Sequence, residues 1–446
     1  MAPPKSAIII GGSIAGLLQA LQLKRTGASV VILEQDPSHT RSMSHESGVS
    51  IGPSVIAMLK KYDVTGIPAA IPAGFLSVAW RQRLRVFKTA WRHDMSNWGC
   101  LYSILRANVD GLVSEVVPVQ PAPRAGDGLA VYRPGRRVVG VEYNQAEGVV
   151  SVMHVDAGKG RGSKQEATNI VEVEKVSAEL VIAADGVHST IRQCLGIPTY
   201  WKYAGYVAWR GTVAEDQLSL ETVRYFSDRL TFSLLGGTYF ITYIIPSPQG
   251  SLEPGKRRVN WAWYCTAADG SASLEAIFTD INGVLHAHTV PGHLLNPDVW
   301  LAQRRRYIPD KTTAPLAELV TQTSRPFVTK VGESDPHTLT FFDGRLLLVG
   351  DAFSGFRPHL GLASEQAARH CMQMEKVWRG EMSHESRDRE ARLYARRLLL
   401  LNRLMGFLGL GWRWAVLRTV LAYAWLMITF LSFSILCSRT SVGKGN

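Results

Sequence analysis

The alternation of apolar and polar positions is clearest at the N-terminus of the chain. An apolar run at 6–10 leads into a glycine-rich stretch at 11–27, which closes on Gly27, and a second apolar run covers 29–34. Short apolar runs are typical of buried strands, and the stretch between them has the length and the closing glycine of a helix. The pattern therefore predicts a β–α–β unit.

Further elements follow from the same pattern. A helix is predicted at 52–62, and a loop is predicted at 65–79, which is rich in Gly, Pro and Ala. Strands are predicted at 136–144, 149–156, 168–176, 178–186 and 345–349. Between about 201 and 335, alternating segments rich in aromatic residues predict a second, mostly antiparallel sheet.

These elements predict an α/β protein of interleaved domains. A Rossmann-like dinucleotide-binding domain is expected at 1–200 and 336–387, around a β-sheet substrate domain at 201–335. A C-terminal helical region is expected at 388–446, because the chain there is rich in Arg and Leu and then apolar.

Composition narrows the function classes. The chain has 446 residues, 46% of them hydrophobic, with a net charge of +12, but its basic stretches are short. A nucleic-acid groove is therefore not expected, and the basic stretches are assigned to solvated faces or phosphate contacts. The five cysteines are odd in number and far apart, which argues against a disulfide framework or a zinc site and favours a reducing compartment.

The C-terminal tail contains a candidate membrane anchor. Residues 419–437 include no charged side chain, and that length is sufficient to span a bilayer. Arginines before this stretch would keep its N-terminal side in the cytoplasm, on the face of a membrane such as the endoplasmic reticulum. A buried or monotopic helix, with the protein in the cytoplasm, is the alternative.

The turn GGSIAG carries the first candidate site. Gly11 permits a tight turn, Gly16 permits close packing of the helix on the strand, and Ser13 replaces the usual middle glycine. A helix N-terminus at this point binds a dinucleotide diphosphate, and Glu34 is placed to bind ribose hydroxyls. Because an acidic residue repels a 2′-phosphate, FAD or NAD is favoured over NADP here. A glycine-rich turn without a ligand is the alternative.

A second candidate, VIAADGVHSTIR, follows a buried strand. Asp185 and Gly186 end that strand, and Ser189 and Arg192 open a helix. From the residues alone, a helix cap beside an exposed arginine is the favoured interpretation.

The third candidate is GDAFSGFRPHLGLASEQA. Asp351 ends a buried strand, where its carboxylate is placed to accept hydrogen bonds from polyol hydroxyls. Pro358 fixes the backbone before a helix start near Gly361, where the amides of Leu362 and Ala363 are expected to face an anion. An ordinary strand–turn–helix connection is the alternative.

In their order and spacing, the three motifs resemble those of the single-component FAD-dependent aromatic hydroxylases, the para-hydroxybenzoate hydroxylase superfamily, over about residues 5–375. The resemblance implies that the first motif binds the FAD diphosphate and that the second, ADGxxSxxR, serves that diphosphate and transient NAD(P)H. It also implies that Asp351 binds the ribitol chain and that Arg106, in LRANVDGLV, contacts FAD. The family motif GDAxxxxxPxxGxG ends in a glycine, whereas this chain has Ala363 at that position. The segments GYVAWRGTV and RPH resemble the 2,6-dihydroxypyridine 3-monooxygenase branch.

The activity implied is an FAD-dependent monooxygenase that uses NAD(P)H and O2 to hydroxylate an aromatic or other electron-rich small molecule through a C4a-hydroperoxyflavin, with secondary metabolism as an expected setting. Such chemistry needs a base near the substrate. His359 is the first candidate because it follows Pro358, although a purely structural His is the alternative, and His45 is a second candidate. Arg210 and Trp209 lie on the substrate sheet, where strand alternation lets at most one of them face the pocket.

Three other functions are consistent with parts of the pattern. A flavin epoxidase or Baeyer–Villiger-type oxygenase would suit a lipophilic polyketide or terpenoid, which the apolar tail favours. A non-catalytic binding protein on the same FAD fold would have lost its flavin contacts, whereas the acidic residues of all three motifs are present. An NAD-dependent dehydrogenase would not need the third motif. The pattern leaves the oligomeric state open.

Overall fold

The computed structural model describes residues 2–38, 47–80, 83–157, 172–198 and 201–442, and for 89–92, 307–311 and 430–442 it describes the backbone alone. His45 lies outside the described residues.

Eighteen strands and eleven α-helices occur in these residues. The strands are β1 Ser6–Ile10, β2 Ser29–Leu33, β3 Gly48–Ile51, β4 Ile71–Trp80, β5 Arg83–Asn97, β6 Ala130–Arg133, β7 Arg136–Asn144, β8 Val149–Asp156, β9 Glu174–Ala178, β10 Leu180–Ala183, β11 Lys202–Ala214, β12 Arg229–Leu234, β13 Tyr239–Ile245, β14 Arg258–Thr266, β15 Thr289–Val290, β16 Phe327–Glu333, β17 Thr340–Phe341 and β18 Leu346–Leu348. The helices are α1 Ile14–Arg25, α2 Pro53–Tyr62, α3 Trp98–Asp110, α4 Thr190–Cys194, α5 Leu220–Phe226, α6 Ala272–Phe278, α7 Pro297–Lys311, α8 Ala314–Gln322, α9 Ala363–Trp378, α10 His384–Leu410 and α11 Arg413–Val442.

The predicted β–α–β unit forms the centre of a six-stranded sheet with the order β17-β18-β10-β1-β2-β6. All neighbouring pairs are parallel except β17–β18. Both faces are covered, which explains the continuous apolar runs. Ala7 and Ile9 pack against α1, α2, α3 and α9, whereas Ile8 and Ile10 pack toward α10 and a separate three-stranded sheet formed by β7, β8 and β9. The Rossmann-like fold class is confirmed.

The second sheet has nine strands, in the order β15-β16-β11-β14-β13-β12-β4-β5-β3, and only the β12–β4 pair is parallel. It is the predicted, mostly antiparallel substrate sheet, but it also takes three strands from residues 48–97. The prediction of a loop at 65–79 was wrong, because Ile71–Trp80 forms β4. The segment contains Gly and Pro, which disfavour a strand locally. It is nevertheless extended because it pairs on both sides, with β12 and with β5.

The two faces of the large sheet have different roles. One face packs against α5, α6 and α8 through a core that includes Trp209 and Phe278. The other face carries Tyr206, Tyr239 and Tyr264 and meets the end of α10 at Leu410. A cavity opens on this second face.

The C-terminal region consists of α10 and α11, which pack against each other. The candidate span at 419–437 lies within α11. Among the helices of the described residues, none is long and apolar enough to cross a membrane, so the predicted span is not supported.

Candidate active site

The turn between β1 and α1 requires its two outer glycines. Gly11 has φ +99°, and a Cβ there would lie 2.5 Å from the Ala184 carbonyl oxygen. A Cβ on Gly16 would lie 1.9 Å from the Gly11 carbonyl oxygen. Ser13 occupies the N-cap position of α1 without a side-chain capping hydrogen bond. The first amides of the helix and the Ser13 hydroxyl are therefore available to an anion.

Glu34 stands opposite this turn. Its carboxylate accepts hydrogen bonds from the Gly12 amide at 2.7 Å and the Asp36 amide at 2.8 Å, which fixes it at the end of β2. Beside it lies a cavity of about 350 Å³. The residues that line this cavity include Gly11, Ser13, Glu34, Arg136, Asp185 and Thr190. The first and second motifs thus line one cavity, as the prediction of a dinucleotide site requires.

The second motif combines the predicted helix cap with buried groups that a cap does not need. Ser189 caps α4 by accepting from the Arg192 amide at 3.1 Å, and one Asp185 oxygen accepts from the Ile191 amide at 3.1 Å. Among the described residues, the other Asp185 oxygen and Nε and Nη1 of Arg192 are buried without a hydrogen-bond partner. Arg192 is only 1% exposed, which corrects the expectation of an exposed arginine. Unpartnered buried polar atoms are costly and indicate a missing ligand or water.

Asp351 is the acidic residue of the third motif. It lies in a tight turn at the end of β18, and the carbonyl oxygen of Gly350 in that turn accepts from Gln366 of α9 at 3.1 Å. Burial raises the pKa of Asp351 to about 6, and the Arg192 guanidinium opposes that rise. The structure therefore brings the second and third motifs within electrostatic range of each other, although about 160 residues separate them along the chain.

The predicted helix start near Gly361 is a two-step turn. Pro358–Leu360 forms a single 3₁₀ turn, Gly361 has φ +62°, and α9 begins at Ala363. Leu362 is the N-cap residue and offers no side-chain cap. The amides of the first turn of α9 are thus suited to a polarised or anionic ring oxygen.

These residues fit FAD. The glycine cradle suits a diphosphate, Glu34 suits a ribose, Asp351 suits a polyol, and the uncapped start of α9 suits the pyrimidine end of a flavin. The atoms of Asp185 and Arg192 that are buried without a partner among the described residues would lie between the diphosphate and the polyol.

The resemblance implied that Arg106 contacts FAD, but its side chain is separated from the first motif by Tyr132. The side chain is 1% exposed, its guanidinium forms an ion pair with Asp110 at 2.8 Å, and Nη1 donates to the Tyr102 hydroxyl at 2.6 Å. The guanidinium carbon lies 3.5 Å from the centre of the Tyr132 ring. A Cβ on Gly12 would lie 2.4 Å from the Tyr132 hydroxyl, so Tyr132 stands between Arg106 and the first motif.

A second cavity, of about 250 Å³, lies where the third motif meets the large sheet. Pro358, His359, Leu360 and Gly361 form one wall, and the others are mostly apolar. The other lining residues are Ser50, Ala73, Phe75, Leu76, His93, Met95, Leu230, Phe232, Ile241, Tyr243 and Met405. This cavity is the candidate substrate pocket, and it adjoins the start of α9.

His359 lines this pocket, but both of its ring nitrogens are engaged. Nε2 is 2.6 Å from the Tyr206 hydroxyl and Nδ1 is 2.6 Å from the Tyr239 hydroxyl. Burial lowers the pKa of His359 well below its usual value, and Arg357 and Arg210 lower it further. A neutral imidazole donates one of these bonds and accepts the other. The geometry therefore supports the alternative in which His359 is a purely structural residue.

Arg210 and Trp209 point to opposite faces of the large sheet. Trp209 is buried in the core on the helix-covered face. By strand alternation, Arg210 lies on the opposite face, the cavity side, with Tyr206 and Ala208. Arg210 does not line the cavity itself. Its charge lowers the pKa of Tyr243, which burial raises to about 12. Arg210 therefore stands behind the pocket wall.

Sequence reasoning missed His93. It is on β5, lines the cavity, and its Nδ1 is 2.9 Å from the Ser50 hydroxyl. Burial lowers the pKa of His93, and Glu365 and Asp94 partly oppose that shift. No motif marks this residue; its only signal was a histidine in the mixed polar and apolar stretch that follows the segment predicted as a loop.

Comparison with known proteins agrees with this geometry. A family model described as FAD binding domain-like matches residues 203–333. A 2,6-dihydroxypyridine 3-monooxygenase from Paenarthrobacter nicotinovorans is 28% identical over 389 residues, which is 85% of this chain and 84% of the relative. The solved 2,6-dihydroxypyridine-3-hydroxylase from Arthrobacter nicotinovorans superposes with a TM-score of 0.67 at 23% identity, over 91% of each chain. Klebsiella pneumoniae HpxO, complexed with FAD and uric acid, gives 0.63 at 20% identity, over 94% of this chain and 92% of that one.

The resemblance drawn from the three motifs is confirmed, including the branch suggested by GYVAWRGTV and RPH. The assignments of an enzyme and of FAD as cofactor are likewise confirmed, and NAD(P)H as co-substrate is consistent with this similarity. The non-catalytic and dehydrogenase alternatives lose their support. Over most of its length, the chain is thus similar to FAD-dependent aromatic monooxygenases in sequence and in fold.

Proposed function

We propose that this enzyme hydroxylates a small, electron-rich aromatic or N-heteroaromatic compound in the cavity between His93, Tyr243 and the Pro358–Gly361 turn. The observation that carries the proposal is the position of this cavity. One of its walls is the turn that leads into α9, where the flavin ring is expected, so a ligand in the cavity would lie beside the oxidising group.

The size and lining of the cavity support a small, flat and largely apolar substrate. Its volume of about 250 Å³ is below the ~300–1,000 Å³ of drug-sized pockets. The polar lining groups are few, namely Ser50, His93, Tyr243 and His359. An aromatic ring with one or two hydroxyl or ring-nitrogen groups would match this set. The relative's substrate, 2,6-dihydroxypyridine, has this chemistry.

Bound FAD would supply the redox chemistry, namely the oxidation of NAD(P)H and the activation of O2 for transfer of one oxygen atom to the substrate. In the overall reaction, substrate, NAD(P)H, O2 and one proton give hydroxylated product, NAD(P)⁺ and water. The protein must therefore bind the cofactor, exclude bulk water from the cavity and manage a proton on the substrate.

The cofactor-binding residues act through shape and hydrogen bonding. We assign the diphosphate to Gly11, Ser13, Gly16 and the start of α1. Asp351, whose carboxyl group lies within electrostatic range of the Arg192 guanidinium, is assigned to the ribityl hydroxyls. The amides of Leu362 and Ala363 are assigned to the pyrimidine oxygen, because the first turn of α9 has no side-chain cap.

We assign the substrate proton to His93. Burial keeps its pKa below the usual value, so the imidazole is neutral near pH 7 and is able to accept a proton. Ser50 fixes the ring through Nδ1, and the Ser50 carbonyl oxygen accepts from the Ser364 hydroxyl at 2.7 Å, which ties the pair to the first turn of α9. An aromatic alcohol becomes a better nucleophile when its proton is withdrawn, which is the general-base role.

We assign His359 a positioning role. Its two short hydrogen bonds to Tyr206 and Tyr239 lock the turn against β11 and β13. Arg357 extends the lock, because it donates to the Tyr206 hydroxyl at 3.3 Å and forms an ion pair with Glu333 at 2.8 Å. This network holds the cavity wall at a fixed distance from the start of α9.

The proposal is tested with purified holoenzyme and a panel of hydroxylated pyridines, phenols and non-aromatic alkenes. We expect hydroxypyridines or phenols to stimulate NAD(P)H oxidation and to yield products that carry one atom of ¹⁸O from ¹⁸O2. Alkene epoxidation, or ketone oxygenation without ring hydroxylation, would transfer the function to the epoxidase or Baeyer–Villiger alternative. Stimulated oxidation that gives only hydrogen peroxide with every ring compound would contradict the substrate class.

A further inference from the structure

The outer face of α11 exposes more apolar surface than a helix on a soluble surface normally does. Its two tryptophans are largely exposed, Trp414 at 80% and Trp425 at 70%, and Leu421 is 61% exposed. Leu417, Val420 and Ile428 are also exposed. We call these six side chains the apolar face of α11. Contiguous exposed apolar patches on proteins mark interaction surfaces.

Charge identifies the kind of partner. From 391 to the C-terminus the chain contains no Asp or Glu, whereas it contains seven arginines and one lysine. Arg413 and Arg418 are exposed on α11 itself, next to the apolar face. An arginine-rich segment without acidic residues complements an anionic surface, although one of these arginines, Arg403, is paired with Glu333 and Asp335.

The neighbouring helix extends this cationic surface. A groove of about 570 Å³ between α10 and α11 is lined by Arg389, Arg392 and Arg396 on one side and by Leu426 and Thr429 on the other. Glu390 also lines the groove, but it is paired with Arg369. Cations therefore border α11 along about two turns of α10, as in helices that lie in a membrane interface.

We propose that α11 docks on an anionic lipid surface, with its apolar face in the interface and its arginines on lipid headgroups. This geometry places the helix along the surface and does not require it to cross a bilayer. Exposed tryptophans suit the interface, where the ring is apolar and the N–H remains wet. A second copy of the chain is a poorer partner, because it would bring a second acid-free segment to the same contact.

Docking would also place the substrate pocket close to the lipid. Met405 of α10 lines the pocket, and Trp412, in the turn before α11, packs edge-on against Tyr206 at 6.0 Å between ring centres. The docking helix thus begins beside the wall of the active site.

The test is co-sedimentation of full-length holoenzyme with phosphatidylcholine vesicles that contain or lack phosphatidylserine. We expect binding to the serine-containing vesicles that weakens as salt is raised. Leu421→Ser with Trp425→Ser should abolish binding, and Arg413→Gln with Arg418→Gln should weaken it about fivefold per arginine, which corresponds to about 1 kcal/mol for each cation near an anionic surface.

Matched controls separate this effect from general stickiness or misfolding. Val119→Ser and Leu129→Ser remove apolar side chains that are 76% and 69% exposed elsewhere, and they should leave vesicle binding unchanged. All variants should keep the flavin spectrum and the basal NAD(P)H oxidation of the wild type, because α11 lies outside the assigned site.

Two results would overturn the proposal. One is a wild-type protein that sediments with neither kind of vesicle. The other is a wild-type dimer, seen by light scattering, that the Leu421 and Trp425 substitutions dissociate while vesicle binding is absent or unchanged; it would assign the apolar face to a second copy of the chain.

Discussion

Replacement of His359 by leucine distinguishes a positioning residue from a catalytic base. Leucine keeps the apolar volume but removes both hydrogen bonds of the imidazole. Within the described residues, the Tyr239 hydroxyl then has no partner, because its bond at 2.6 Å is to His359. The Tyr206 hydroxyl keeps the Arg357 guanidinium at 3.3 Å.

The size of the effect follows from these contacts. Each buried hydrogen bond contributes about 1 kcal/mol net, and a buried hydroxyl left without a partner costs about 1–3 kcal/mol. His359→Leu should therefore lower the free energy of unfolding by about 2–4 kcal/mol. Tyr239→Phe leaves Nδ1 of His359 unpaired and should cost about 1–3 kcal/mol by the same reasoning.

The double variant His359→Leu/Tyr239→Phe provides the decisive comparison. It leaves neither partner of that bond orphaned, so its cost should be below the sum of the single costs by about 1–3 kcal/mol. Urea unfolding, followed by circular dichroism and by flavin fluorescence, measures the three values. Additive costs would refute the hydrogen-bonded lock that we infer from the structure.

Activity gives the second readout for the same variants. If His359 positions the wall, the folded Leu variant should keep the pH profile of hydroxylation and lose coupling of NAD(P)H oxidation to product. If His359 is the base, hydroxylation should fall by about 10²–10⁴-fold with retained stability. That second outcome would refute the positioning role and would assign the substrate proton to His359 instead of His93.

Four further predictions concern the cofactor and the charge state of the buried histidines. Asp351→Ala should purify without FAD, whereas Asp269→Ala, at an exposed position, should stay yellow; a yellow Asp351 variant with full flavin content would disprove the ribityl assignment. Gly16→Val should also lose FAD, measured as flavin per protein, because even its Cβ would lie 1.9 Å from the Gly11 carbonyl oxygen. His93→Gln should lower hydroxylation about 10²-fold or more and remove the acid limb of the pH profile, and an unchanged profile would exclude the base role. The free energy of unfolding should fall as the pH drops below about 6.5, because the pKa values of His359 and His370 are well below that value in the folded state and the unfolded chain binds more protons there; His359→Leu should flatten this dependence.

The sequence by itself determined the cofactor domain and its chemistry. The strands at 6–10, 136–144 and 149–156 occur where the apolar pattern predicted them. Glycine, acidic and proline positions of the three motifs act through backbone shape and local charge, which are encoded within a few residues. The resemblance to FAD-dependent hydroxylases, and with it the flavin and the reaction class, could therefore be inferred without coordinates.

Only the tertiary structure decided what the pocket residues do. His359 forms hydrogen bonds with Tyr206 and Tyr239, which lie 153 and 120 residues away, and these bonds favour a positioning role over that of a base. His93 enters the site because β4 and β5 pair into the large sheet, a pairing that the Gly- and Pro-containing sequence of β4 did not predict. A hydrogen bond between distant strands leaves no mark on local periodicity, because each residue's role depends on which partner the fold brings to it.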